Sequence, residues 1–243
     1  MFEKTYGIVL HALRYGEDSM VVDVLTQTRG SVSFMVKLPR SRKSNVKSRL
    51  LSPLNILEID MDFRPGKSLQ RMRDLQLSYP YESIPYEPMK ELMALFLGEV
   101  LYHALKHEDR NDRLFTFLLH SLRWFDGAQS DYVNFHLTLL IKLTRYLGFW
   151  PNTEYQDPSY FFDLQEGAFT PFRPLHGHCL DAGEAAWVSR FLRMNYATMR
   201  RFKMNREQRN YVLDKLCLYY RLHVPEFPAL KSLEVLREVV DNG

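Results

Sequence analysis

Residues 31–38, Ser-Val-Ser-Phe-Met-Val-Lys-Leu, run directly into residues 39–49, Pro-Arg-Ser-Arg-Lys-Ser-Asn-Val-Lys-Ser-Arg. The first part alternates cleanly. Val32, Phe34, Val36 and Leu38 fall on one side, while Ser31, Ser33, Met35 and Lys37 fall on the other, the period of a strand with one buried face. The second part cannot bury itself. Lys37, Arg40, Arg42, Lys43, Lys47 and Arg49 carry six positive charges, and no Asp or Glu occurs between Asp23 and Glu58. Such a segment stays solvated. Its natural partner is a polyanion, because each cation set on a phosphate releases a condensed counterion. Taken alone, the same charges also suit a solvated hairpin loop.

The flanking sequence supplies the rest of a small β-domain. Tyr6, Ile8 and Leu10 alternate with Gly7, Val9 and His11, predicting a first strand over 5–13. Met20–Thr26 predicts a second, joined to the third by Thr28-Arg29-Gly30. Beyond the basic stretch, residues 54–63 place Leu57, Ile59, Met61 and Phe63 inward and Glu58, Asp60 and Asp62 outward. A turn at Arg64-Pro65-Gly66-Lys67 leads to a fifth strand over 69–77. Five short strands in about eighty residues, with one long basic excursion after the third, fit an OB-type barrel. The same period allows an SH3-like barrel.

After Tyr79-Pro80-Tyr81 the apolar period changes from two to about 3.6. Stripes through Phe96–Leu105, Leu114–Phe125 and Val133–Leu147 predict three helices, the third capped by Ser130. Asp181-x-x-Glu184, Asn205 with Gln208, and Ser232 mark three further helix starts. Residues 152–179, rich in proline and aromatics, read as an irregular insertion with a hairpin near Glu166-Gly167. The expected class is therefore α+β, with a five-stranded OB-type barrel over 1–79 and an α-helical domain over 80–243.

Composition excludes several classes. The 243 residues carry a net charge of +3, yet residues 1–79 hold 13 Lys and Arg against 8 Asp and Glu, whereas 80–243 hold 19 against 21. The positive field belongs to the first third. Two cysteines make no disulfide framework, and the default compartment is the reducing cytosol. The N-terminus does not read as a signal peptide, and no apolar run approaches the ~18 residues of a membrane helix. No Gly-rich phosphate loop, Gly-x-Ser-x-Gly or His-Glu-x-x-His occurs, so the sequence predicts no enzyme. Glu58, Asp60 and Asp62 read as the solvated face of a strand. His176, His178 and Cys179 lack the second ligand pair that zinc requires. A second basic group, Arg190, Arg193, Arg200, Arg201, Lys203, Arg206 and Arg209, suits a solvated helix face, a second phosphate track or a dock for an acidic peptide.

In their order, Gly7-Ile8-Val9-Leu10, Glu17-Asp18-Ser19, Val24-Leu25-Thr26, Arg29-Gly30 and Val36-Lys37 running into Pro39-Arg40-Ser41-Arg42-Lys43 resemble the N-terminal domain of the bacterial recombination mediator family RecO. Leu51-Ser52-Pro53-Leu54, Leu139-Leu140 through Leu147-Gly148-Phe149-x-Pro151, and Leu230-Lys231-Ser232-Leu233 extend the resemblance nearly end to end. It implies an OB domain and a helical domain, binding of single- and double-stranded DNA, annealing of complementary strands, and contact with the acidic C-terminal tail of single-stranded DNA-binding protein. It also implies loading of RecA together with RecR, and in some settings RecF, in the cytoplasm at the nucleoid. Lys37, Arg40, Arg42, Lys43, Lys47, Arg49, Arg200, Arg201 and Lys203 are the expected DNA-binding residues. Lys142, Arg145 and Leu147 are the positions carried over for the partner peptide. The family's zinc module has no counterpart in residues 152–179, which offer only Cys179 and are expected to fold without metal or other cofactor. A competing expectation is a helical peptide-binding scaffold whose barrel serves protein interaction alone.

Overall fold

The computed structural model describes residues 2–38, 48–154 and 157–239. Arg40, Arg42, Lys43 and Lys47 lie outside the described residues. Five strands, β1 (Phe2–Tyr15), β2 (Ser19–Thr26), β3 (Gly30–Lys37), β4 (Ile56–Asp62) and β5 (Leu69–Tyr79), close a barrel in the order β1-β2-β3-β5-β4. Neighbours pair antiparallel except β3 and β5, which run parallel from Ser33↔Leu69 to Met35↔Arg71. This is the OB-type closure. β1 bridges both sides of it: Gly7 and Ile8 pair with β2 on one edge and with β4 on the other. A register shift between Val9 and His11 bends the strand where it must turn from one neighbour to the other.

The alternation read in β3 and β4 decides what fills the barrel. Val32, Phe34, Val36 and Leu38 meet Val22, Val24, Leu57, Ile59 and Met61 in one buried cluster. Each such side chain contributes roughly 1.5–3 kcal/mol on leaving water. Gly30 turns β2 into β3 with φ +72°, a conformation that costs an L-residue and is open to glycine. It also lies against the backbone of 108–110, where Ser31 N donates to Glu108 O at 2.8 Å. The fourth strand starts at Ile56 rather than at Leu54. Leu54 takes a φ of +67°, donates to Val9 O at 2.7 Å and accepts from the Tyr81 hydroxyl at 2.7 Å, so residues 51–54 form a turn pinned to β1.

The chain forms two compact units, residues 1–127 with 229–243, and residues 128–228. Change of secondary structure after Tyr79 and change of compact unit after Gly127 are thus separate events. The first unit joins the barrel to α1 (Pro88–Leu105), α2 (Asp112–Gly127) and α6 (Ser232–Val239). Asp126 ties the segment after β5 to the end of α2. Its carboxylate accepts from the backbone N–H of Glu82, Ser83 and Ile84 at 2.9–3.0 Å and from the Tyr79 hydroxyl at 3.2 Å. Lys90, fully buried, donates to Ser83 Oγ at 2.6 Å and to Asp126 O at 3.2 Å. Glu99 of α1 accepts from Lys231 N at 3.0 Å and Ser232 N at 2.8 Å and from the Ser232 hydroxyl, capping α6 from outside that helix.

The second unit holds α3 (Phe135–Tyr146), α4 (Ala182–Leu192), a 3₁₀ turn at Met199–Arg201 and α5 (Arg206–His223). Both predicted capping boxes are present, Asp181 with Glu184 and Asn205 with Gln208. Ser130 does not cap α3; its hydroxyl turns to Asp131, itself at φ +62°, and the helix begins after Asn134. Within 152–179 the expected hairpin forms from β6 (Phe161–Asp163) and β7 (Ala168–Thr170). A third strand, β8 (Cys179–Leu180), pairs with β6.

Candidate nucleic-acid interface

The strand registers sort the barrel surface into rows. Tyr15, Ser19 and Lys37 are neighbours across β1, β2 and β3. The next outward row is Leu13, Val21, Met35 and Arg71, the last contributed by β5. Between them runs the inward pair Met20 and Val36, both buried. Leu13 and Tyr15 are 59% and 64% exposed, large for apolar side chains on a strand. An aromatic and two aliphatic or thioether side chains thus stand beside Lys37 and Arg71 on one open face. The following row, His11, Asp23, Ser33 and Leu69, is partly covered: His11 stacks on Tyr102 of α1 at 4.4 Å. Burial pushes the Asp23 carboxyl up, but hydrogen bonds from His11 and Ser33 outweigh it and hold the group below its ordinary value. That row is internally satisfied.

Charge on the barrel is divided between paired and open cations. Arg29 binds Glu3 at 3.0 Å, Arg64 binds Asp62 at 3.0 Å and Lys4 lies 3.6 Å from Asp60. Glu58 accepts from Gln76 at 2.9 Å. The outward carboxylates of β4 are therefore occupied by neighbouring side chains. Lys37 and Arg49, by contrast, are exposed, and no ion pair engages either among the described residues. Arg49 lies in a helical turn at residues 48–50, its carbonyl accepting from Asn55 Nδ2 at 2.9 Å. Lys37 and Arg49 are thus the two described ends of the basic stretch.

In the second unit Arg200 and Arg201 occupy the 3₁₀ turn, with Lys203 just beyond, all three exposed. Asn134 Nδ2 donates to Phe202 O at 2.9 Å, fixing the turn to the start of α3. The three residues carried over for a peptide divide. Lys142 donates to Leu192 O at 2.7 Å and lies 5.3 Å from the Trp150 ring centre; Arg145 approaches the same ring at 5.9 Å. Burial, reinforced by Arg145, lowers the Lys142 ammonium pKa. Leu147 is the residue after α3 and is half-buried. An apolar cavity of about 430 Å³ adjoins α3, but from that helix Ile141 and Thr144 line it, together with Leu180, Trp187, Phe191 and Tyr219. The sequence stripe found α3, with a start that is too early, and did not reveal which of its faces borders a cavity.

Among the described residues no group of three or more His, Cys, Asp or Glu side chains is arranged to hold a metal ion. His176 instead binds Asp163 at 3.2 Å and stacks on His178. No helix among the described residues is long and apolar enough to cross a membrane.

An OB barrel with an open apolar and cationic face, continued by helices, defines the class of protein. The comparisons narrow it. Residues 1–81 match the family described as Recombination protein O N terminal, and residues 90–234 match Recombination protein O C terminal. The chain is 46% identical to a DNA repair protein RecO of Phocaeicola vulgatus over 98% of its own length and 99% of that protein's. It is 44% identical to one from Bacteroides fragilis, over 99% and 100%, and 35% identical to one from Flavobacterium psychrophilum, over 97% and 98%. The chain belongs to the RecO family of DNA repair and recombination proteins.

Proposed function

We propose that the protein binds single- and double-stranded DNA, anneals complementary strands, and helps to load RecA onto strands covered by single-stranded DNA-binding protein, acting together with RecR. The observation that carries this reading is the open barrel face, where Tyr15, Leu13 and Met35 stand beside Lys37 and Arg71. Flat and apolar side chains receive bases, and the cations receive phosphates. Arg40, Arg42, Lys43, Lys47 and Arg49 extend the phosphate track, and Arg200, Arg201 and Lys203 are further phosphate contacts within the second unit. Two strands held on neutralised surfaces repel each other less, so annealing needs no nucleotide hydrolysis and no catalytic side chain. The protein works in the cytoplasm, at the nucleoid, without cofactor.

The test is a fluorescence-anisotropy titration of a labelled oligonucleotide against salt. Replacing Lys37, Arg40, Arg42 and Lys43 by alanine is expected to weaken binding and flatten the salt slope by about 2–3 units, since each phosphate contact contributes roughly 0.7 on a single strand. An unchanged slope removes the stretch from the mechanism. A second reading, a peptide-binding scaffold, draws on the apolar cavity and on Lys142 and Arg145 around Trp150. A peptide ending in Asp-Asp-Ile-Pro-Phe that binds while DNA does not would favour it.

A further inference from the structure

The second unit contains a groove distinct in character from its apolar cavity. Trp187, Arg190, Arg193, Arg201, Phe202 and Lys203 line it, with a volume of about 470 Å³. A neighbouring groove shares Phe202 and Lys203 and continues along Arg200 and Arg209. Arg190 and Arg193 stand one helical turn apart, at the end of α4 and just after it, while Arg200 and Arg201 come from the 3₁₀ turn. Among the described residues no ion pair engages Arg190, Arg193, Arg200, Arg201 or Lys203. Several cations on the barrel are neutralised by carboxylates; these five are not. Holding five like charges close together raises the energy of the folded chain, and a bound polyanion relieves it.

The walls decide between polyanions. Phe202 stacks on Phe191, and Phe191 on Trp187, with interplanar angles of 24° in both pairs. Trp187 and Phe202 are half-buried, so each presents part of a ring held by packing behind it. The Arg190 guanidinium lies 5.3 Å from the Trp187 ring centre, and a base arriving there extends or replaces that stack. Flat aromatic walls with arginine-rich rims suit unstacked bases and their phosphates. An acidic peptide with apolar side chains needs a concave apolar pocket, and that is the other cavity, on the far side of Trp187, where Ile141, Leu164 and Leu180 join the aromatic rings and no arginine lines the wall.

We propose that this groove is a second, self-contained site for single-stranded nucleic acid, with Trp187 and Phe202 as stacking surfaces and Arg190, Arg193, Arg201 and Lys203 as phosphate contacts. It deepens the reading of the protein as a DNA-binding annealing factor and rests on it. One chain then carries a strand-binding surface in each of its compact units and holds two strands at once.

The test uses the full chain, an oligothymidylate of about 20 nucleotides, enough to span one site, and intrinsic tryptophan fluorescence. Stacking at Trp187 is expected to quench part of the emission, and Trp187→Phe, which keeps a ring in the wall, is expected to abolish that part. A variant with Arg190→Gln, Arg193→Gln, Arg201→Gln and Lys203→Gln, all at exposed positions, is expected to lose the quench and about 2–3 units of salt slope. Lys37→Ala with Arg49→Ala and Arg71→Ala is expected to weaken binding while leaving the quench at saturation. Full quenching in Trp187→Phe, or wild-type quench and slope in the glutamine variant, overturns the proposal while leaving the barrel reading intact. Suppression of tryptophan emission by an acidic peptide, with no response to the oligonucleotide, also overturns it and assigns Trp187 to a protein dock. Loss of all DNA binding in the wild-type chain would remove both readings together.

Discussion

Asp126 shows how much one side chain can organise. Burial alone would push its carboxyl up, but the backbone N–H groups of Glu82, Ile84 and Ser83 and the Tyr79 hydroxyl hold it below the ordinary value. Its removal strands the backbone donors of Glu82, Ser83 and Ile84 and leaves the Tyr79 hydroxyl without its acceptor. Asp126→Ala is therefore expected to destabilise the first unit by on the order of 3 kcal/mol, read as a lower denaturant midpoint at unchanged m-value. Asp126→Asn keeps the size and one carbonyl acceptor and is expected to cost less. In the sequence Asp126 is merely the residue after the apolar stripe Leu114–Phe125. The donors it gathers lie more than forty residues away, and no local pattern announces them.

At the scale of elements, local physics was legible and long-range physics was not. The strands of the barrel and both capping boxes follow from period-two alternation and from side chains that bond their own backbone three residues on. The predicted start of the third helix is too early because Ser130 is a good cap by type, while Asp131 takes a left-handed φ that directs the chain elsewhere before Asn134. The parallel pairing of β3 with β5, the third strand in 152–179, and the division of cations into paired and open ones all depend on residues distant in sequence. The caps give a direct check. Asn205→Ala removes the acceptor for Gln208 N, 2.9 Å away, and is expected to cost about 1 kcal/mol, measured by thermal or urea unfolding. Because α5 opens beside the basic groove, the same variant tests whether that groove needs a firmly started helix.

For the whole molecule, pH is the most economical probe. Burial, with Arg209 nearby, pushes the His136 imidazole from 6.5 down to about 3. The unfolded chain therefore binds a proton that the folded chain refuses. Stability contributed by keeping His136 neutral is complete above pH 6.5 and declines as pH falls toward 3. Asp126 and Glu99, both held below their ordinary values, add a loss that begins lower, as pH drops through the carboxylate range. Urea midpoints measured between pH 8 and 4 are expected to fall from about 6.5 downward, and His136→Leu is expected to flatten the upper part of that decline. An unaltered profile in the leucine variant would falsify the assignment.

The return of the chain to its first unit has a consequence for synthesis. Glu99 waits in α1 for Lys231 and Ser232, more than 130 residues downstream. On the ribosome the barrel and the first two helices emerge early, the second unit is made next, and only then does α6 arrive to cover its part of α1. A nascent chain stalled after residue 228 would carry a finished second unit and an unfinished first one. Its helix α1 would present apolar surface to chaperones and proteases, so the first unit is finished only after the second has been made.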